Sequence, residues 1–143
     1  MNVGSILAQK GRDVATIAAE VSIADAVAEL AARKIGALVI VDSQLKVKGI
    51  ISERDVVRTI GQKGPSILGD PVSSVMTRQV ISCSEDETIN EVMTRMTDGR
   101  FRHLPVVTDD RLAGIISIGD VVKARIEQVE HEAEEMRAYI ATA

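Results

Sequence analysis

The sequence predicts an α+β fold in which two pseudo-symmetric βαββα repeats pack through their sheets and a long C-terminal helix follows. Three observations lead to this prediction. Two stretches of the chain carry nearly the same sequence. In both stretches, apolar residues at helical spacing give way to short β-branched runs. Beyond the second stretch, apolar residues recur at alternating steps of four and three almost to the last residue.

The duplication covers most of the chain. Residues 47–57 and 112–122 are identical at seven of eleven positions, and the similarity extends over residues 15–60 and 80–125. A repeat of roughly 50 residues has a marginal core by itself, so we expect the two copies to pack on each other. The predicted division is an N-terminal segment with the first repeat at 1–63, a linker at 64–78, and the second repeat with its extended helix at 79–143.

Each repeat has the same predicted order of elements. A short strand, at residues 15–18 and 79–82, leads to a helix that begins at Ser22 or Thr88. An acidic residue stands three positions after each of these caps, which is the pattern of a capping box. A β-branched run, a polar turn too short for a crossover and a second strand then predict an antiparallel hairpin. A second helix begins where the hairpin ends.

The composition excludes several classes of protein. The 143 residues include 45% hydrophobic and 27% charged residues, as in globular domains. The net charge of −4 and the presence of only two aromatic residues, Phe101 and Tyr139, argue against a nucleic-acid binder. The first residues show no secretory signal, and no apolar run is long enough to span a membrane. We therefore expect a cytoplasmic protein.

The sequence shows no arrangement typical of catalysis or metal binding. The single cysteine, Cys83, can form no internal disulfide, and two histidines do not complete a zinc site with it. We expect Cys83 to fill a small apolar gap. Asp109 and Asp110 are adjacent carboxylates, but they fall in a hairpin turn, where such residues are common. The sequence thus predicts a protein that is not an enzyme and holds no metal.

The phrase Gly-Ile-Ile-Ser-x-x-Asp occurs in both repeats, at Gly49–Asp55 and Gly114–Asp120. It lies where a strand passes into a helix, and the free N–H groups and dipole of a helix N-terminus favour a phosphate. The serine can donate to a phosphate oxygen, and the aspartate can accept from two ribose hydroxyls. The glycine leaves room for a ligand to approach the backbone. The alternative is structural, because Ser-x-x-Asp is also a capping box.

Four phrases occur in order along the chain, at residues 35–41, 49–55, 102–107 and 114–120. Together they resemble the cystathionine-beta-synthase (CBS) domain pair, also called a Bateman module, over about residues 14–126. In that family the Gly-x-x-Ser/Thr-x-x-Asp stretch binds adenosine nucleotides in the cleft between the repeats. The resemblance therefore implies ribose contacts for Asp55 and Asp120 and phosphate contacts for Ser52 and Ser117. The four phrases are Ile35–Val41, Gly49–Asp55, Arg102–Val107 and Gly114–Asp120.

Further contacts to such a ligand are expected from basic and aliphatic residues. Arg54 lies inside the first motif, and Arg102 and His103 precede a strand of the second repeat, where they suit phosphate oxygens. The alternatives are a solvated surface charge for Arg102 and a histidine hydrogen-bonded at the core edge for His103. In the resembling family, adenine lies against strand backbone and aliphatic side chains. The candidates here are Ala37, Leu38, Leu104, Pro105, Ile17 and Ile81.

The C-terminal helix carries an apolar stripe with the spacing of a heptad repeat. The stripe extends beyond what one repeat needs, so we expect it to pack against the same helix of a neighbouring chain or across Ile6 and Leu7. Packing entirely within the same chain is the alternative. The resemblance favours the first option, because CBS pairs usually associate as homodimers. The stripe consists of Val122, Ile126, Val129, Ala133, Met136 and Ile140.

Together these features predict a non-catalytic regulatory module. It would bind an adenosine nucleotide and pass a conformational change to an unidentified regulated protein. AMP, ADP or ATP is the expected ligand, and NAD and S-adenosylmethionine are the nearby choices. The competing interpretation is a structural dimerisation module without a ligand, in which the Ser-x-x-Asp phrases are only caps. A third interpretation is an accessory binder of nucleic acid.

Overall fold

A computed structural model describes residues 1–142 as a mixture of helices and two small sheets. Short 3-10 turns, Pro65–Gly69 and Val72–Ser74, lie between the repeats. No helix of the described residues is both long and apolar enough to cross a membrane. The elements are α1 (Val3–Lys10), β1 (Thr16–Ile17), α2 (Ile23–Arg33), β2 (Ala37–Val41), β3 (Val47–Ser52), α3 (Glu53–Lys63), α4 (Ile89–Gly99), β4 (His103–Thr108), β5 (Arg111–Ser117) and α5 (Ile118–Thr142).

Backbone contacts group the chain into two compact units. The unit of the first repeat contains residues 13–81 and 107–113, and the unit of the second repeat contains residues 1–12, 82–106 and the chain from 114 onward. Helix α1 therefore belongs with the second repeat, although it precedes the first one in the sequence. The boundaries drawn from the sequence, with a linker at 64–78, stay a prediction.

The unit of the first repeat is built on a three-stranded sheet in the order β1-β2-β3. β1 runs parallel to β2, and β2 runs antiparallel to β3, with Ala37 opposite Ser52. This confirms the predicted hairpin. Helix α2 begins after Ser22, whose Oγ accepts a hydrogen bond from the N–H of Asp25 at 3.1 Å. The apolar core of this unit includes Ile23, Leu38, Ile40, Ile51 and Val72.

The unit of the second repeat combines residues 103–106 of β4 and 114–117 of β5 with helices α1, α4 and α5. Thr88 and Glu91 form the predicted capping box at the start of α4. Helix α1 is attached to the turn that precedes α4. Its first two N–H groups, on Val3 and Gly4, donate to the backbone carbonyls of residues 87 and 85 at 2.9 Å. The core includes Val3, Leu7, Ile89, Met96, Leu104, Ile116 and Val121.

The predicted strand at residues 79–82 is wrong, and a proline explains why. In the first repeat, the N–H of Val39 donates to the carbonyl of Ala15 at 3.3 Å and helps to join β1 to β2. Pro105 occupies the position equivalent to Val39 and has no N–H to donate. Only one bridge remains in the second repeat, at Cys83, whose N–H donates to the Pro105 carbonyl at 3.0 Å.

The motif glycines make room for packing. A Cβ built on Gly49 would lie 2.6 Å from Sδ of Met76, and one on Gly114 would lie 2.7 Å from Cδ2 of Leu7. Both neighbouring side chains are buried in a core. The expectation that these glycines leave room for a ligand is therefore wrong on the side that Met76 and Leu7 occupy.

We expect Gly114→Ala to lower the free energy of unfolding by about 1–3 kcal/mol, because the added methyl group displaces Leu7 from the core. Urea denaturation measures this loss. Gly61→Ala is the matched control, since a Cβ at Gly61 meets nothing within 4 Å and α3 gains helix propensity. The double variant Leu7→Ala/Gly114→Ala should lose less than the sum of the single losses. Additive losses would show that Leu7 and Gly114 do not interact.

Candidate functional site

The first strand-to-helix corner, residues 49–55, is a complete capping box. The Ser52 N–H donates to Oδ2 of Asp55 at 2.9 Å, and the Asp55 N–H donates to Ser52 Oγ at 3.3 Å. The Ser52 hydroxyl also donates to Oδ2 at 3.0 Å. On the other carboxylate oxygen, Oδ1 accepts from Nη2 of Arg58 at 2.8 Å. Both oxygens of this buried carboxylate are thus already engaged.

The second corner, residues 114–120, repeats the box but has a different basic partner. The Ser117 N–H donates to Oδ2 of Asp120 at 2.8 Å, and the Asp120 N–H donates to Ser117 Oγ at 3.2 Å. Nζ of Lys10 reaches in from α1 and donates to the same Oδ2 at 2.7 Å and to the Ile115 carbonyl at 2.9 Å. Oδ1 of Asp120 accepts no hydrogen bond from any described residue, so this corner keeps a carboxylate oxygen for a ligand.

The N–H groups at the start of a helix are the donors that a phosphate would use. In the first corner, the Glu53 N–H already donates to the Gly36 carbonyl at 3.0 Å, and the Asp55 N–H donates to the Ser52 side chain. The N–H of Arg54 lies between them and, as one of the first N–H groups of α3, has no acceptor inside the helix. It is the donor of this turn that a ligand would use.

The second corner has the same arrangement of donors. The Ile118 N–H donates to the Arg102 carbonyl at 2.8 Å, and the Asp120 N–H is held by Ser117. The N–H of Gly119, as one of the first N–H groups of α5, has no acceptor inside the helix. Apart from its chain neighbours and the helix backbone, the nearest atom to a Cβ built on Gly119 is Ser117 Oγ, at 3.6 Å. The two corners thus have the same arrangement of N–H donors.

The aliphatic residues expected to contact adenine lie in different surroundings. Leu38 and Leu104 are completely buried, backbone included, so neither is exposed to a ligand in this structure. Ala37 and Pro105 are also buried. Ile17 is partly buried and packs against the core of its own unit. Ile81 is the most open of the six, with 49% of its surface exposed.

The basic residues named from the sequence are only partly drawn into the corners. Arg54 and Arg102 are exposed, and His103 is half-buried as the first residue of β4. Arg102 contributes its carbonyl to the second corner, through the bond to Ile118. The charged groups that reach the carboxylates are instead Arg58 and Lys10.

Sequence reasoning missed both of these cations. Arg58 lies three residues after Asp55, and this spacing on a helix is a recognisable signal for an ion pair. Lys10 lies 110 residues before Asp120, and no local pattern connects them. Its position follows from the docking of α1 on the second repeat, which no sequence pattern indicates.

The Lys10 contact changes the acidity of the second corner. Burial by itself raises the pKa of Asp120, but the hydrogen bonds from Lys10 and Ser117 and the charge of Lys10 together outweigh it. The net result is a pKa below the ordinary value for aspartate. Asp120 is therefore ionised at neutral pH and available as an acceptor.

Cys83 lies in a setting that suppresses its reactivity. Burial, assisted by the charge of Glu87 and opposed by that of Arg95, raises the pKa of Cys83 to about 12. Its thiol is therefore protonated at neutral pH and a poor nucleophile, which suits the expected role as a buried filler. Within residues 1–142, no three histidine, cysteine, aspartate or glutamate side chains form a group that could hold a metal ion.

The family of this fold follows from comparison with known sequences. A model of the CBS domain matches residues 3–62 and again residues 72–127. The chain belongs to the CBS domain family and carries two copies of the domain. The resemblance seen in the four sequence phrases is thereby confirmed.

Several solved structures and relatives are similar over most of the chain. The CBS-domain containing protein ATU1752 from Agrobacterium tumefaciens is 49% identical with a TM-score of 0.84, covering 87% of this chain and 99% of that one. The CBS domain pair of protein MJ0100, crystallised with 5-methylthioadenosine and S-adenosyl-L-methionine, is 29% identical with a TM-score of 0.79, covering 90% and 98%. These similarities confirm the predicted fold class.

Among curated proteins, the mitochondrial CBS domain-containing protein CBSX3 of Arabidopsis thaliana is 38% identical over 120 residues, or 81% of this chain. This chain spans 58% of the length of that relative. The similarity therefore concerns the CBS pair that the two proteins share.

We expect Lys10→Met to lower the free energy of unfolding at pH 7 by at most about 1 kcal/mol, because the ion pair with Asp120 is partly exposed. Folding lowers the pKa of Asp120, so these contacts stabilise the protein above the ordinary aspartate pKa of about 3.9 and lose their effect as pH falls through the folded value.

Urea denaturation at pH 7 and at pH 3 measures both effects, and the difference between wild type and Lys10→Met should shrink at pH 3. Lys46→Met is the matched control, because the Lys46 side chain forms no ion pair among the described residues. A Lys10→Met difference that is the same at both pH values would contradict the assigned role of Asp120.

Proposed function

We propose that this chain is a non-catalytic regulatory module that binds an adenosine compound at its strand-to-helix corners. AMP, ADP and ATP are the first candidates, followed by NAD and S-adenosylmethionine. Asp55 and Asp120 would hold the ribose, and Ser52 and Ser117 would contact the phosphate. Binding would change the packing of the protein, and a regulated protein would respond to that change.

One observation carries the proposal. The same seven-residue phrase forms the same corner twice, with a serine cap, an aspartate three residues later and, between them, an N–H that has no acceptor inside its helix. A cap alone would require only the serine and the acidic residue, as Thr88 and Glu91 show at α4. The repeated Gly-Ile-Ile before the cap is an additional constraint. The family of the chain, and the adenosine compounds bound to the MJ0100 pair, support this interpretation.

The geometry favours recognition of the sugar over recognition of a long phosphate chain. Each corner offers one carboxylate and one N–H without an acceptor inside its helix, and a triphosphate normally needs several N–H groups or cations. The second corner is the better ribose site, because Oδ1 of Asp120 accepts no bond from the described residues, whereas Arg58 occupies Oδ1 of Asp55. We therefore expect the second corner to bind more tightly.

The proposal also covers partners and location. We propose a homodimer in the cytoplasm and no role in nucleic-acid binding, in line with the net charge of −4. The alternative function is a structural dimerisation module without a ligand. It is favoured by the engaged carboxylate of Asp55 and by the apolar stripe that α5 exposes.

A thermal-shift assay with AMP, ATP, NAD, S-adenosylmethionine and 5-methylthioadenosine separates the two functions. At least one adenosine compound should stabilise the protein, by about 2.7 kcal/mol when present at 100 times its dissociation constant. Guanosine is the control for the base. Failure of every adenosine compound to shift the transition would favour the structural module.

Alanine substitutions test the ribose role. We expect Asp120→Ala to weaken binding of that compound by about 10- to 100-fold, because a charge-assisted hydrogen bond is lost, and Asp55→Ala to weaken it less. Isothermal titration calorimetry measures both affinities. Glu91→Ala is the matched control, since it removes the acidic member of a capping box outside the motif. The ribose assignment is wrong if both aspartate variants bind like wild type.

A further inference from the structure

The apolar stripe of α5 is exposed along its whole length. Val122, Ile126, Val129, Met136 and Ile140 have between 45% and 66% of their surface open to solvent. An open groove of about 500 Å³ runs along the first part of the stripe, lined by Ile118, Val122 and Ile126 among others. The interpretation that the stripe packs within its own chain is therefore wrong. Packing of the stripe across Ile6 and Leu7 is wrong for the same reason, because these two residues contact the core through the other face of α5, where Val121 and Ala124 lie.

The stripe lies on the side of α5 that faces away from its own core. The residues of α5 that are buried in that core are Val121 and Ala124. With a turn of about 100° per residue, the centre of the stripe lies about 130° around the helix from the centre of this buried face. The two apolar faces are thus separate, and the protein's own core requires only one of them.

The second half of α5 places no described residue in the core of the protein. None of residues 125–142 is buried. The one ion pair seen along this stretch joins His131 and Glu135 on the exposed surface, with both side chains about two-thirds exposed. A helix that contacts nothing is marginal in water, and most helical stability comes from packing of an apolar face. The sequence nevertheless continues the heptad spacing through Met136 to Ile140.

We propose that the stripe is an interface with a second copy of this chain, in which two α5 helices form a parallel, two-stranded coiled coil. This inference rests on the homodimer in the proposed function and specifies its contact surface. Val122, Val129 and Met136 take the d positions, and Ile126, Ala133 and Ile140 take the a positions.

Charges beside the stripe are complementary in the parallel arrangement. In such a coiled coil, a residue at g faces the residue at e five positions later in the partner. Arg125 then faces the partner's Glu130, and Glu132 faces the partner's Arg137. Both pairs occur twice in a symmetric dimer, which gives four attractions between opposite charges and no repulsion between like charges at these positions.

The antiparallel arrangement is less favourable. When Val129 lies opposite the partner's Ala133, Glu130 faces the partner's Glu130 and Glu132 faces the partner's Glu132, so like charges meet. A shift by one heptad in either direction restores opposite charges, but it leaves two stripe residues without partners in the stripe, either Met136 and Ile140 or Val122 and Ile126. Only the parallel arrangement covers all six stripe residues and pairs opposite charges.

The interface is tested by sedimentation velocity of the full chain and of two matched variants. We expect wild type to be a dimer. Val129→Glu should raise the dissociation constant of the dimer by about 10-fold or more, because the apolar contact of one valine from each chain is lost. Val57→Glu makes the same change on α3, at another exposed valine, and should remain a dimer. A monomeric wild type would overturn the proposal. So would dissociation by Val57→Glu but not by Val129→Glu.

Charge reversal tests the direction of the helices. Arg125→Glu places like charges opposite Glu130 and should weaken the dimer, and Arg125→Glu/Glu130→Arg should restore it if the helices are parallel. In a shifted antiparallel arrangement, the charges exchanged in the double variant face like charges of the partner, so the double variant does not restore the affinity of the dimer. Absence of rescue would overturn the parallel arrangement. Ligand binding, measured separately on Val129→Glu by thermal shift, distinguishes failure of this interface from failure of the proposed ligand site.

Discussion

The need to satisfy the first N–H groups of α3 and α5 governs both candidate corners. These groups have no partner inside their own helices, and serine and aspartate side chains supply acceptors at short range. The same side chains are those that a ribose and a phosphate would contact. A ligand must therefore share the carboxylate with the cap. In both corners, Oδ2 of the aspartate accepts the hydrogen bond of the cap, so Oδ1 is the oxygen left for a ligand. In the first corner, Arg58 already donates to Oδ1, so less of that carboxylate is available.

Helix α1 ties the second corner to the core beneath it. Leu7 fills the space above Gly114, and Lys10, one turn later on the same face of α1, contacts Asp120. The absence of a side chain at Gly114 thus determines how closely α1 approaches, and that approach brings the lysine to the carboxylate. A structural glycine and a charged partner of the candidate site are in this way parts of one arrangement. The first repeat uses Met76 above Gly49 and gains no such cation from it.

Local patterns predicted most of the fold, whereas distant contacts escaped them. Caps at Ser22 and Thr88, the hairpins and the exposed stripe all follow from residues a few positions apart, and the structure contains each of them. The prediction of a strand at 79–82 was wrong because Pro105 has no N–H to donate to that segment. The repeat spacing alone does not show this lost hydrogen bond. Lys10 was missed because its contact depends on docking across more than 100 residues. The candidate site was therefore predictable in its repeated core but not in the cations that distinguish its two copies.

The position of the second corner gives a physical route from ligand to assembly. Ser117 caps α5, and the stripe begins at Val122, little more than one turn further along the same continuous helix. A ligand that repositions Asp120 acts on the N-terminus of the element that would meet the second copy. If binding changes the affinity between copies, thermodynamic linkage requires association to change ligand affinity by the same factor. A single rigid helix suffices for this coupling, so a more extended network of side chains does not have to be assumed.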